Sequence, residues 1–332
     1  MKYLTVVRAA VGSSVVLFAL SAFAADPLPS WNDTAPKQAI IEFVDKVTRQ
    51  GSPDFVPAAE RIATFDNDGT LWAEQPMYVQ LAFAIDRART LAASKPELME
   101  SPVIKAAATG DLRALAASGE HGLLELVATT HAGNTTDEFA QLVRDWSTTA
   151  RHPRYARPYT ELTYLPMREL LEYLRTNGFR TWIVSGGGIE FLRVLSEPLY
   201  GVPPEQVIGS SIRTQYELRD GTPVIARLPE IDFIDDKAGK PLAIQKFIGR
   251  RPILAVGNSD GDFEMLEWTT AASGPSLGVL VHHDDAGREY AYDRAASFGR
   301  LTRGLDEAQR RDWLVVGMHN DWNAVFAAPT AP

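Results

Sequence analysis

The chain has 332 residues, 45% of them hydrophobic, no cysteine, and a formal net charge of −9. Its length supports a large core without disulfides. The missing thiols exclude cysteine nucleophiles, thiolate zinc sites and iron–sulfur clusters, and the acidic balance disfavours nucleic acid as a partner.

Residues 1–24 begin with Lys2 and Arg8, continue as a nearly unbroken apolar run from Ala9 to Phe23, and end on Ala22-Phe23-Ala24. That order of charged, apolar and small-residue segments predicts a secretory signal peptide cleaved after Ala24. The apolar run is short for a membrane anchor, and no interior stretch approaches the ~20 apolar residues of a span. A bacterial periplasm or the extracellular space is the expected address.

Thr34 can cap an amphipathic helix running to about Thr48, which Gly51-Ser52-Pro53 ends. Arg61–Phe65 reads as a buried strand running into Asp66. From Met77 to about Trp146 there is no strand signal, only Ala- and Leu-rich segments broken at Lys95-Pro96, Gly110, Gly119 and Gly133-Asn134. This stretch predicts four or five helices. Pro166 opens a helix to about Arg175, and Phe179–Val184 reads as a second strand, followed by Ser185-Gly186-Gly187-Gly188 and a helix over 189–195. Residues 207–235 read as an antiparallel excursion turning at Asp220-Gly221. A helix over 241–248 precedes a third strand, 253–256, which ends on "GNSDGD". A fourth strand, 277–281, ends on His282-His283-Asp284-Asp285. One more helix near 306–313 and a short apolar strand complete the pattern.

Strands alternating with helices imply an α/β fold: a three-layer α/β/α, Rossmann-like core with a parallel sheet, and an inserted α-helical cap. The expected division is residues 25–75 and 159–332 as core and 76–158 as cap. Ligands of such sheets sit at the carboxyl ends of the strands, where every polar cluster falls. Of these, "DNDGT" poses the sharpest question, because Asp66 and Asp68 would repel at a strand end unless a cation neutralises them or one is protonated. A hard divalent ion such as Mg2+ suits carboxylate and carbonyl oxygens. Gly69 and Thr70 offer close backbone approach, with amides available to a developing anion. The simpler alternative is an Asx turn or a helix cap.

"DNDGTL" resembles the first motif of the haloacid dehalogenase-like hydrolase superfamily. "VSGG" at 184–187 is similar to the second, "KPLAIQKF" from Lys240 to the third, and "GNSDGD" from Gly257 to the fourth. The four occur in family order over residues 61 to about 266, and the phosphoserine-phosphatase-like subgroup is the nearest in pattern. The resemblance implies Asp66 as nucleophile and Asp68 as acid/base. It also implies Ser185, Gly186 and Lys240 around the phosphoryl oxygens, and Mg2+ on Asp66, the Asp68 carbonyl and the fourth motif. There the acidic position holds Asn258, so Asn258 or Asp262 is the expected ligand, with Asp260 further out. Lys240 opens a helix as the motif requires, whereas Lys237 reads as a solvated loop charge. Glu74 and Trp72, where the chain leaves the core for the cap, are candidates for meeting the leaving group: Glu74 a substrate ammonium, Trp72 a cation face. His282 and His283 could touch substrate or lie at the surface. The expected activity is hydrolysis of small phosphomonoesters through an aspartyl-phosphate. The alternatives are a dehalogenase, which needs no Asp68, and a non-catalytic phosphate- or partner-binding protein.

Overall fold

The computed structural model describes residues 26–329, so the signal-peptide pattern of residues 1–24 lies outside the described residues. An eight-stranded sheet forms the centre. Its strands are β1 (Ile62–Phe65), β2 (Arg180–Gly188), β3 (Val207–Arg219), β4 (Thr222–Phe233), β5 (Leu254–Gly257), β6 (Leu277–Asp284), β7 (Ala291–Tyr292) and β8 (Leu314–Gly317). Their order is β4-β3-β2-β1-β5-β6-β7, with β8 also pairing β6. The β3–β4 and β6–β7 pairs are antiparallel; the other pairs are parallel.

β1 lies at the centre, and all four of its residues are fully buried, as a parallel strand covered on both faces must be. Alternate side chains separate into two apolar cores. Phe65, Ile183, Val256 and Val281 join one, with α1 (Ala35–Thr48), while Val184, Ala255 and Leu280 join the other.

Between β1 and β2 the chain forms six α-helices, the first five being α2 (Val79–Ser94), α3 (Pro102–Thr109), α4 (Leu112–Ala117), α5 (Gly119–His131) and α6 (Thr136–Thr149). Residues of α2, α3, α4 and α5 build a small core of their own around Ile85, Ala88, Ile104 and Leu126. Thr135 caps α6 reciprocally with Glu138, each side chain accepting from the other residue's backbone N–H. After α7 (Leu165–Thr176) and β2, α8 (Ile189–Tyr200) continues to Tyr200, beyond the expected end at 195, and includes Pro198. The β3–β4 hairpin turns at Asp220-Gly221, both with positive φ (50° and 81°), as a tight two-residue turn requires.

α9 (Gly239–Phe247) starts two residues before the expected helix. α10 (Phe263–Thr270) follows β5, and the last helices are α11 (Arg303–Glu307) and α12 (Met318–Asp321). α11 replaces the helix expected over 306–313. There the chain turns, with Asp312 at a φ of 55°, so that Trp313 can enter the core beside Phe263. β6 is longer than expected and carries His282 and His283 within the strand.

Candidate active site

Strand register assembles the site. Phe65 pairs with Ile183 on one side and Val256 on the other, so Asp66, Ser185 and Asn258 emerge together at the carboxyl edge of the sheet. The Asp66 N–H makes the last ladder bond, 2.9 Å to the Val256 carbonyl. The chain then turns tightly, the Asn67 carbonyl accepting from the N–H groups of Thr70, Leu71 and Trp72. Gly69 adopts a φ of 73°, and a Cβ there would lie 2.1 Å from Asn258 Nδ2, so only glycine fits.

Lys240, in the first turn of α9, is 2% exposed and uses its ammonium fully. It donates to Asp66 Oδ1 at 2.7 Å, Asp262 Oδ1 at 2.6 Å and the Val184 carbonyl at 2.8 Å. Burial opposes its charge, but Asp262 and Asp66 outweigh burial and hold its pKa above the ordinary lysine value. Lys237 is exposed, as expected of a loop charge. Asp262 fixes the fourth motif: its Oδ2 accepts from the N–H groups of Asn258 (2.9 Å) and Ser259 (3.0 Å).

Burial and the neighbouring Asp262 charge raise the Asp66 pKa well above the usual carboxylate range, although Lys240 pulls it down. Burial pushes Asp68 up to about 6 against the 2.8 Å hydrogen bond that its Oδ1 accepts from the Trp72 indole N–H. Buried carboxylates therefore exceed the cations in contact with them. Asp66 and Asp262 share one ammonium, Lys240, with Asp68 close by and Glu74 in the field of Asp66 and Asp68.

The two candidates for meeting the leaving group are placed differently from expectation. Trp72 is 1% exposed and lies in the core with its N–H on Asp68, so its ring offers no cation face. Glu74 lines the site, but its Oε1 accepts from Asn258 Nδ2 at 2.7 Å and from the Tyr292 hydroxyl at 2.8 Å. Burial raises its pKa well above the usual range. The amides of Gly69 and Thr70, expected to face an anion, are used inside the loop, on the carbonyls of Trp72 and Asn67. The Thr70 hydroxyl donates to Asn258 Oδ1 at 3.0 Å. Ser185 and Gly186 do line the site, with Ser185 Oγ accepting from the Gly187 N–H at 3.1 Å.

His283 is buried and braces the Asp66–Gly69 loop. Its Nε2 lies 2.8 Å from the Gly69 carbonyl, its Nδ1 lies 3.2 Å from Glu289, and its ring stacks on Tyr292. His282 is half-buried beside Asp293. Sequence reasoning also missed Gln80 of α2, whose Oε1 accepts from the Gly188 N–H at 2.6 Å and whose Nε2 lies 3.0 Å from His131. Neither Tyr292 nor Gln80 carries a local sequence signal, because each meets its partner only through the tertiary fold.

Asp66, Asp68, Ser185, Gly186, Lys240 and Asp262 line one end of a cavity of about 350 Å³. Helices α2, α5 and α6 wall it on one side, and the β3–β4 hairpin on the other. Chemically, this end offers a carboxylate restrained by a lysine, a second carboxylate two residues on, and a hydroxyl beside a glycine turn.

The haloacid dehalogenase-like hydrolase family model matches residues 63–267. Among solved structures, a conserved functionally unknown protein from Anaerococcus prevotii DSM 20548 matches with a TM-score of 0.51 at 18% identity, over 76% of this chain and 86% of that one. A protein with unknown function from Bordetella pertussis Tohama I matches with a TM-score of 0.50 at 18% identity, over 77% and 98%. A phosphoserine phosphohydrolase-like protein from Francisella tularensis subsp. tularensis SCHU S4 gives 0.40 at 18%, over 75% and 98%. No curated protein sequence matches the chain. With the family model spanning well over half of the residues and the four motifs meeting at the end of the central strand, the chain belongs to the haloacid dehalogenase-like hydrolase family.

Proposed function

We propose that this hydrolase is an exported, Mg2+-dependent phosphatase of small phosphomonoesters, working through an aspartyl-phosphate. The observation that carries the reading is the Lys240 bridge between Asp66 and Asp262, with Asp68 beside it in the same cavity. A phosphate ester repels an attacking carboxylate, so a site for this reaction needs positive charge at the nucleophile and a proton donor for the leaving oxygen. Lys240 meets the first need and Asp68 the second. A dehalogenase would not use Asp68. Export rests on the pattern of residues 1–24; among the described residues no helix is long and apolar enough to cross a membrane.

The donor set suits Mg2+. Mg2+ commonly takes one or two carboxylates, with water and substrate oxygens completing its shell. Asp66, the Asp68 carbonyl and Asn258 would hold it, since the Asp262 carboxylate is already committed to Lys240 and two backbone N–H groups. Bound there, the ion supplies positive charge to the phosphoryl oxygens.

In the first step a carboxylate oxygen of Asp66 attacks phosphorus, and the bond to the ester oxygen breaks as that oxygen takes the proton of Asp68. In the second, water attacks phosphorus and gives a proton to Asp68, the bond to Asp66 breaks, and phosphate leaves. Ser185 holds the phosphoryl oxygens between steps, and Lys240, bonded to Asp66, contributes its positive charge beside them. Residues 76–158 act as the cap, excluding water during the first attack. The test is turnover of p-nitrophenyl phosphate with Mg2+ and after chelation, alongside a 2-haloacid. Mg2+-dependent phosphate release with no halide release supports the reading. Halide release, or no turnover of either compound, overturns it.

A further inference from the structure

The cavity changes character away from its catalytic end. Leu81 of α2, Leu124 and Val127 of α5, and Ile231 and Phe233 of β4 line it while keeping part of their surface exposed. Leu123 and Ile234, at 41% and 47% exposure, extend the same apolar surface outward. Beyond the catalytic end, the charged groups of the lining are Arg227, Glu190 and Asp236; the first two form an ion pair with each other, and Asp236 lies in the field of Lys240. The Arg227 Nε also donates to the His131 carbonyl at 2.8 Å, and its guanidinium lies 3.8 Å from the centre of the Phe139 ring. His131 is pushed down to about 3 by burial and by Arg227, which leaves it neutral at pH 7. At the catalytic end, the Glu74 oxygen that could have met an ammonium already accepts two hydrogen bonds.

We infer that the phosphate esters this site takes carry an uncharged, apolar leaving group about the size of a six-carbon chain or a single ring. The inference rests on the phosphatase reading, because it is the in-line attack by Asp66 that points the leaving group away from the nucleophile and toward these walls. Size agrees: an apolar cavity of roughly 150 Å³ holds benzene, and the 350 Å³ here holds a phosphoryl group and a ring together. Polarity agrees too. Desolvating an ammonium or a carboxylate against Leu124, Val127 and Ile231 without a partner is costly, whereas each buried methylene is favourable.

The experiment is a series of alkyl monophosphates (ethyl, butyl, hexyl and benzyl), set against phosphoethanolamine and phosphoserine, with Mg2+ present. Primary alkyl leaving groups differ little in acidity, so kcat/KM along the alkyl series reads contact with the walls. It should rise by up to about fourfold for each methylene that becomes buried, and phosphoethanolamine and phosphoserine should fall below hexyl phosphate by at least tenfold. Leu124→Asn and Ile231→Asn, on opposite walls, should each lower the ratio of hexyl to ethyl turnover. A parent enzyme that hydrolyses the series with a flat profile, or prefers the charged esters, overturns the inference and leaves the phosphatase reading intact. A parent that hydrolyses none of them overturns both.

Discussion

Replacing Lys240 with methionine tests the electrostatics of the site directly, because the lysine holds two buried carboxylates at once. Methionine fills much of the same volume without a charge. It leaves Asp66 and Asp262, 7% and 1% exposed, without the donor that lies 2.7 and 2.6 Å from them in the parent. Breaking a buried ion pair by deleting one partner costs about 3–5 kcal/mol, a large share of the ~5–15 kcal/mol that holds a domain folded. Urea unfolding at pH 8 should show the midpoint falling by the equivalent of at least about 3 kcal/mol. The loss should shrink at pH 5. Without the ammonium, the folded-state pKa of Asp66 rises further above its unfolded value. The variant thus gains stability relative to the parent as pH falls and Asp66 takes a proton. A loss below about 1 kcal/mol at pH 8, or one equal at both pH values, would refute the account of Lys240 as the charge that makes this cluster tolerable.

Asp66→Asn should abolish turnover while leaving the fold intact, and Asp68→Asn should slow it by about 10²–10⁴, as loss of a general acid/base does; initial-rate assays beside circular dichroism check both. Asn258→Asp places a carboxylate where Asn258 Nδ2 now donates to Glu74 at 2.7 Å. It should lower metal-free thermal stability and reduce the Mg2+ concentration needed for half-maximal activity, and superimposable metal titrations would exclude Asn258 as a ligand. Asp235 is fully buried, neither of its oxygens has a hydrogen-bond partner, and burial pushes its pKa up to about 7. Because the folded pKa is the higher one, the folded chain keeps a proton the unfolded chain has lost, and stability falls as pH rises from 3.8 through about 7. Asp235→Asn should remove that fall, gaining up to about 4 kcal/mol at pH 8, which denaturation at pH 5 and pH 8 will show.

The sheet could be read from the sequence because each core strand is a short apolar run that stops at a polar cluster. β1 must be buried on both faces, and a chain that turns from Phe65 into Asp-Asn-Asp leaves little choice about where the strand ends. The hairpin could be read for a different reason: Asp220 and Gly221 are suited to the positive φ that both adopt. The helix expected over 306–313 runs instead over Arg303–Glu307, because Trp313 enters the core six residues past the helix end, immediately before β8. A sequence shows that a residue is apolar. It does not show from which direction that residue enters the core.

The same limit explains Glu74. Sequence order places it at the exit to the inserted helices, where a role in substrate choice is a natural guess. Its partners, Asn258 and Tyr292, are 184 and 218 residues away. Gly69 and Gly299 lack the side chains that would strike its carboxylate; a Cβ at Gly299 would lie 1.9 Å from its Oε1. Asn258 and Glu74 then explain each other. An aspartate at 258 would set another carboxylate against Glu74 and Asp262, and an ionised one could not donate to Glu74. The neutral amide can, and its oxygen still accepts from Thr70 at 3.0 Å. The departure from an acidic fourth motif is thus the side of the arrangement visible in the sequence. The other side is a buried glutamate, Glu74, whose Oε1 takes the hydrogen bond of the Asn258 amide at 2.7 Å.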